Sequence, residues 1–208
     1  ESEICDGSDC LEFDNTLHFN LEQRQLSEYK MNINKVLENE ENKKYVISEM
    51  FIEAALLQYL QVKKQSVFGE WDYLTHQLIA SPFKPLQFID KMDVYGYRFS
   101  ECYPDKPKLV SKYILVELKK GKINKAALEQ TMQYVDWICK EYAAGDYSRI
   151  EAYVVGDSSV RNVEDLKEKY CQRDYIIETH PVKTNSWNNL RLVKYLINTQ
   201  VDFKEMKS

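Results

Sequence analysis

Residues 113–118 read Y-I-L-V-E-L, a short apolar run with one carboxylate, Glu117, set inside it. Lys119 follows two residues on, and Lys120-Gly121-Lys122 then turns the chain. An apolar run of this length bounded by turn residues reads as a buried strand. Residues i and i+2 of a strand share one face, roughly 7 Å apart along it. A fold that buries this run must therefore accommodate a glutamate and a lysine side by side in or near its core. Charges are costly to bury unless something polar sits over them, and a metal ion with a phosphate would fill that place.

The flanking segments extend this reading. Asn124 is a plausible N-cap for a helix running to about Tyr142, with Leu128, Met132, Val135, Cys139 and Tyr142 as its buried stripe. Gln130 and Tyr134, four apart, lie on another face near the helix start. The order strand, turn, helix brings a helix N-terminus beside the carboxylate, a favourable place for an anion. Upstream, 87–99 reads as a strand carrying Asp93, and Pro104-Asp105-Lys106-Pro107 is a strong turn signal. Paired residues of an antiparallel hairpin have a constant index sum. A turn centred on Asp105 makes that sum 210, so that Asp93 faces Glu117 and Tyr97 faces Tyr113. Two carboxylates opposed across a ladder repel, and a divalent cation between them removes the objection.

Other elements are expected as follows. Residues 1–17 are acidic and turn-rich, with a short strand at Leu17 to Phe19, and Leu21 to Leu37 is helical. Tyr45 to Leu60 is a better helix, with Ile47, Met50, Phe51, Ala54, Leu57 and Leu60 at helical spacing and Ser48 or Asn42 as cap. Its Glu49 and Glu53 share a face at i and i+4. A role at the site needs one of them to point there, and Glu49 is favoured. Gly69 to Leu74, Arg149 to Val155 and Tyr175 to Ile177 read as strands, and Val163 to Tyr170 as a short helix. Leu190 to Leu196 is a strand candidate that could also be helical.

Charge is uneven along the 208 residues. Residues 1–49 hold 12 acidic and 5 basic side chains, whereas the remainder holds 21 and 23, with Lys119, Lys120, Lys122 and Lys125 clustered beside Glu117. The net charge of -5 therefore does not exclude phosphate contact. Six glycines, none in a phosphate-binding loop, argue against a P-loop NTPase, and no serine or cysteine nucleophile motif occurs. His18, His76 and His180 are far apart in sequence, and a structural role is expected for each. The five cysteines are odd in number and scattered, which favours free thiols and a cytoplasmic location. No apolar run of about 18 residues occurs, so no membrane span is expected. The chain starts without Met or a signal peptide and reads as a processed chain or a domain of a longer protein.

Taken together, helix with Glu, strand with Asp93, strand with Glu117-x-Lys119, and helix with Gln130-x-x-x-Tyr134 resemble the PD-(D/E)XK nuclease superfamily, nearest its NucS-like and RecB-like branches. The resemblance covers roughly residues 45–156. The literal Pro-Asp pair is replaced by Met92-Asp93, and Glu117 lies 24 positions after Asp93. The resemblance implies an α/β fold with a restriction-endonuclease-like core, a central mixed sheet flanked by helices, and a small helical N-terminal appendage. The expected division is an acidic arm and helix over 1–40 and a nuclease-like domain over 41–208.

It further implies a Mg²⁺-dependent DNA endonuclease of a restriction, defence or repair system, with Mn²⁺ as a substitute. Asp93, Glu117 and Lys119 would be catalytic. Asp93, Glu117, the Leu118 carbonyl and Glu49 would hold the metal, and Gln130, Tyr134, Lys120 and Lys122 would contact nucleic acid. RNA, a homodimer and a larger multidomain complex stay open as partners. The competing readings are a cross-strand salt bridge for Glu117 and Lys119, ordinary helix surface for Gln130 and Tyr134, and a nuclease-fold module without turnover.

Overall fold

The computed structural model describes residues 3–4, 10–13, 17–20, 33, 48–62, 66–81, 90–100, 108–198 and 200–206. They fall into two compact units, Glu1–Asn32 and Ile33–Ser208. In the first unit the described residues form an antiparallel sheet of β1 (Glu3–Ile4), β2 (Cys10–Phe13) and β3 (Leu17–Asn20) in that order. The short strand expected at Leu17 to Phe19 is present as β3. Alternation of Leu11 and Phe13, and of Leu17 and Phe19, is a period-2 pattern that favours pairing over helix. The helix expected over 21–37 lies, except for Ile33, outside the described residues.

The second unit is mixed α/β. Its central sheet has six strands: β4 (Tyr73–Ile79), β5 (Lys91–Phe99), β6 (Val110–Leu118), β8 (Ile150–Gly156), β12 (Leu190–Ile197) and β13 (Val201–Glu205). Their spatial order is β13-β12-β8-β6-β5-β4. The β4–β5–β6 meander is antiparallel, β6, β8 and β12 run parallel, and β13 returns antiparallel. Parallel neighbours need a crossover. Helix α2 (Lys125–Glu141) lies between β6 and β8 in the chain, and α3 (Val163–Tyr170) between β8 and β12. Helix α1 (Glu49–Val62) precedes the sheet. Two small pairings complete the unit, parallel β7 (Lys122–Ile123) with β9 (Ser158–Ser159), and the hairpin β10 (Arg173–Thr179) with β11 (Val182–Trp187). Among the described residues, no helix is long and apolar enough to cross a membrane.

Helix ends follow their caps. The Asn124 side chain accepts from the Ala127 amide at 3.0 Å, which starts α2 where the sequence places it. The Ser48 hydroxyl, one of the two caps expected for the Tyr45 to Leu60 helix, accepts from the Phe51 amide at 3.2 Å, and the described helix starts at Glu49.

Alternation along β6 divides the core in two. Tyr113 and Leu115 pack with Leu128, Met132 and Val135 of α2, whereas Ile114, Val116 and Leu118 pack with Ile52 and Leu56 of α1. All these β6 and α1 side chains except Tyr113 are at most 1% exposed. Each such apolar side chain contributes roughly 1.5–3 kcal/mol by leaving water. Because parity runs on along the strand, Glu117 falls on the α2 side, where Gln130 lies.

The β5–β6 register keeps an index sum of 210 from Val94↔Val116 to Arg98↔Lys112 and slips only at Phe99↔Val110. The next pair in that series is Asp93 and Glu117. Gly96 allows close approach within this meander. A Cβ there would lie 2.3 Å from the Tyr73 carbonyl oxygen and 2.8 Å from Leu74 Cδ2. Gly96→Ala is therefore expected to cost about 3 kcal/mol through overpacking, measured as a lower urea midpoint with an unchanged slope.

Candidate active site

The site forms where β6 ends. Three successive amides leaving the strand are each held by a different element. Leu118 N–H donates to Asp93 Oδ2 at 2.7 Å, Lys119 N–H to the Val155 carbonyl at 2.8 Å, and Lys120 N–H to Glu49 Oε1 at 3.1 Å. The Lys120 carbonyl accepts from the Tyr195 hydroxyl. Strand β5, strand β8, helix α1 and strand β12 thus fix the backbone that carries Glu117 and Lys119.

Glu117 is 2% exposed, and its Oε1 accepts from Lys119 Nζ at 2.8 Å. Its Oε2 is buried without a hydrogen-bond partner. Burial first, and the charge of Asp93 second, push the Glu117 carboxyl from its ordinary 4.5 up to about 7, against the opposing pull of Lys119. Asp93 is also raised, again by burial first. The Leu118 amide and Lys119 pull it down, while Glu53 and Glu49 push it up. Burial lowers Lys119, but its hydrogen bond to Glu117 and the surrounding negative charge more than reverse this, so its net shift is upward. The result is a buried acidic group with more carboxylate than its one ammonium neutralises.

A relay continues from Lys119 into α2. Its ammonium also donates to Gln130 Oε1 at 3.1 Å, and Gln130 Nε2 donates to the Tyr134 hydroxyl at 2.9 Å. Tyr134 is only 3% exposed, so its ring belongs to the core and its hydroxyl serves Gln130. Burial raises the phenol, and so does the field of Glu117, Asp90 and Asp93, which keeps it protonated. Its place in the site is thus behind Gln130, not on an open face. Lys120 and Lys122 are exposed, with Lys122 paired to Ser158 in the short β7–β9 ladder.

The two α1 glutamates separate. Glu49 is exposed and holds the Lys120 amide. Glu53 has a side chain 13% exposed and accepts from His76 Nδ1 at 2.8 Å and Gln77 Nε2 at 3.2 Å. Gln77 Nε2 also reaches Asp93 Oδ1 at 3.3 Å. The glutamate linked to Asp93 is therefore Glu53, whereas sequence alone favours Glu49. His76 and Gln77 are the side chains that sequence reasoning misses here. They sit on an edge strand with no motif to mark them.

Among the described residues, no three His, Cys, Asp or Glu side chains gather into a metal-ligating cluster. The acidic atoms available to a cation are the unpartnered Glu117 Oε2 and the Asp93 carboxylate, with Glu53 and Glu49 nearby. A hard divalent ion, which takes carboxylate oxygens, fits the orphaned Oε2.

No protein-family model matches the chain, and no curated protein matches it. Among solved structures it is similar to EndoMS in complex with double-stranded DNA, at 18% identity and a TM-score of 0.35, over 57% of this chain and 41% of that one. It is also similar to a repair endonuclease from Pyrococcus abyssi, at 18% identity and a TM-score of 0.32, over 81% of this chain and 61% of that one. The chain spans less than two thirds of the length of either.

Proposed function

We propose that this protein is a metal-dependent nuclease with a restriction-endonuclease-like core, hydrolysing phosphodiester bonds of DNA in a restriction, defence or repair setting. The observation that carries the proposal is Glu117 itself, a carboxylate buried with one oxygen unpartnered, next to Asp93 and paired to Lys119. Asp93 and Glu117 would hold Mg²⁺ or Mn²⁺, with the Leu118 carbonyl and an α1 glutamate, Glu49 or Glu53, as further ligands. Bound there, the ion would lower the pKa of a water and offset phosphate charge.

The chain's own side chains do the rest. Two of the three Lys119 ammonium protons go to Glu117 and Gln130, which aims the third. That proton would orient the attacking water and meet charge developing on the phosphate. Tyr134 keeps the Gln130 amide turned toward Lys119, which leaves Gln130 to position the nucleic acid. Lys120 and Lys122, exposed beyond the strand, would meet its backbone.

The test is cleavage of plasmid and single-stranded DNA, with an RNA arm, in Mg²⁺ or Mn²⁺. Wild type is expected to cleave DNA, and Glu117→Ala and Lys119→Ala to lose cleavage. Equal cleavage by all three proteins would sink the assignment.

A second reading is a catalytically silent module of the same fold that binds nucleic acid or protein. The observation favouring it is that Lys119 already neutralises one oxygen of Glu117 while no third ligand stands in place among the described residues. It predicts no heat on Mn²⁺ titration, where the nuclease reading predicts a heat lost in Asp93→Ala.

A further inference from the structure

Strand β4 is the sheet edge beside the site, and one of its residues breaks the strand conformation. Gln77 has φ 53°, in the left-handed region that side chains with a Cβ avoid. The ladder pairs on either side, His76↔Val94 and Leu78↔Met92, put Gln77 directly across from Asp93. Its Nε2 donates to Glu53 Oε2 at 3.2 Å and to Asp93 Oδ1 at 3.3 Å. One amide nitrogen thus joins an acid from α1 to an acid from β5. The second Asp93 oxygen is taken by the Leu118 amide, so both of its oxygens are anchored.

Such backbone conformations persist where the surrounding structure holds them, and they gather at functional sites. Gln77 is exposed, so its conformation is not imposed by a packed core around it. The observation nearby that points to a ligand is independent of it. Glu117 Oε2, buried and unpartnered, lies on the residue next to Leu118, whose amide Asp93 holds at 2.7 Å, and so adjoins this pair.

We infer that Gln77 is a positioning residue, whose amide holds Asp93 and Glu53 together as an acidic pair ready to receive a divalent cation. Without it the two carboxylates repel and separate, and a cation must bring them back together. A residue that orients ligands in this way acts through cation affinity, typically by about 10- to 100-fold. The inference rests on the metal-dependent reading above and names a residue that reading does not use. It also assigns the α1 acid of the site to Glu53, with Glu49 anchoring the backbone after β6.

The test is Mn²⁺ titration calorimetry on the full chain, with thermal denaturation in metal-free buffer alongside. The proteins are wild type, Gln77→Ala, Gln77→Gly, Glu53→Gln and Asp93→Ala. Gln77→Ala and Gln77→Gly are each expected to bind Mn²⁺ about tenfold more weakly. Gln77→Gly should keep or raise the melting temperature, because glycine accepts the left-handed backbone. Weaker binding without lost stability is what a merely structural glutamine would not produce. Mn²⁺ affinity within about twofold of wild type in both variants, or tighter binding, overturns the inference. Affinity falling only in step with stability overturns it too. If wild type and the Gln77 variants bind alike while Asp93→Ala does not bind, only this inference fails. If wild type itself binds no Mn²⁺, the metal-dependent reading fails and takes this inference with it.

Discussion

At pH 8, Glu117→Gln is expected to be more stable than wild type by about 2 kcal/mol in metal-free buffer and, with Mg²⁺ present, to cleave DNA roughly a thousandfold more slowly. The stability gain follows from the direction in which Glu117 is shifted. Its carboxyl titrates at 4.5 in an open chain and at about 7 in the fold, chiefly because it is buried. Between those values the folded protein binds more protons than the unfolded one, so stability falls as pH rises from 4.5 and has fallen fully once pH passes 7. That interval is worth about 3 kcal/mol, an order-of-magnitude figure. Glutamine keeps the shape, has no proton to lose, and still offers an oxygen to Lys119. Part of the gain is returned because Lys119 loses its counter-charge. Melting temperatures at pH 5 and pH 8 read the effect. The two proteins should nearly coincide at pH 5 and differ by about 5 °C at pH 8. Added Mg²⁺ should narrow the gap by stabilising wild type through binding to the native state. A glutamine variant less stable than wild type at pH 8 would mean that Lys119 satisfies Glu117 fully, leaving no strain for a cation to relieve.

How much of this site is legible in sequence depends on what kind of interaction holds each residue. Strand β6 is readable because its buried run is continuous and its turn is polar. Its pairing with β5 is readable because Pro104 to Pro107 brackets the hairpin closely enough to predict the 210 register that the ladder shows. Asn124 is legible as a local cap, and the limits of α3 follow from composition. Where exposure replaces burial, the signal fades. Strand β4 lies at 73–79 instead of 69–74, on an edge with an irregular burial pattern. Strand β11 reads V-K-T-N-S-W and is exposed up to Trp187, so it has no apolar alternation to betray it. Glu49 and Glu53 cannot be told apart by helical spacing, because both lie on one face. What separates them is tertiary, since the backbone at Lys120 meets one and Gln77 the other. Tyr134 shares the i and i+4 spacing of Gln130, but a tyrosine can bury its ring and still present its hydroxyl. The inward choice is made by the sheet beneath α2. Gln77 and His76 carry no sequence pattern at all, and only the fold of β4 against β5 brings them to Glu53 and Asp93.

Lys119→Met separates the two tasks assigned to that lysine. Methionine keeps an apolar stem and removes the ammonium. In wild type the ammonium opposes the upward push on Glu117, so in the variant the Glu117 carboxyl should titrate above about 7. Below that range Glu117 is protonated in both proteins and the missing partner costs little. Above it, wild type holds a charge-assisted pair at 2.8 Å, while the variant must either bury an unpaired carboxylate or keep a proton. The deficit should therefore be small at pH 5 and grow to about 3 kcal/mol at pH 9. Adding Glu117→Gln should recover most of it, because no buried charge is then left alone. Cleavage should behave differently. With saturating Mn²⁺ at pH 7, Lys119→Met is expected to lose about a hundredfold to a thousandfold, and Glu117→Gln should not restore it, since the lost group is the one proposed to meet charge developing on the phosphate. Urea unfolding across pH gives the first quantity, and single-turnover cleavage of plasmid DNA the second. If cleavage by Lys119→Met stays within a few fold of wild type while the pH-dependent deficit is present, Lys119 serves only as the partner of Glu117. The strand pair would then be an internal salt bridge, and the acidic group would need another source of positive charge to act on a phosphate.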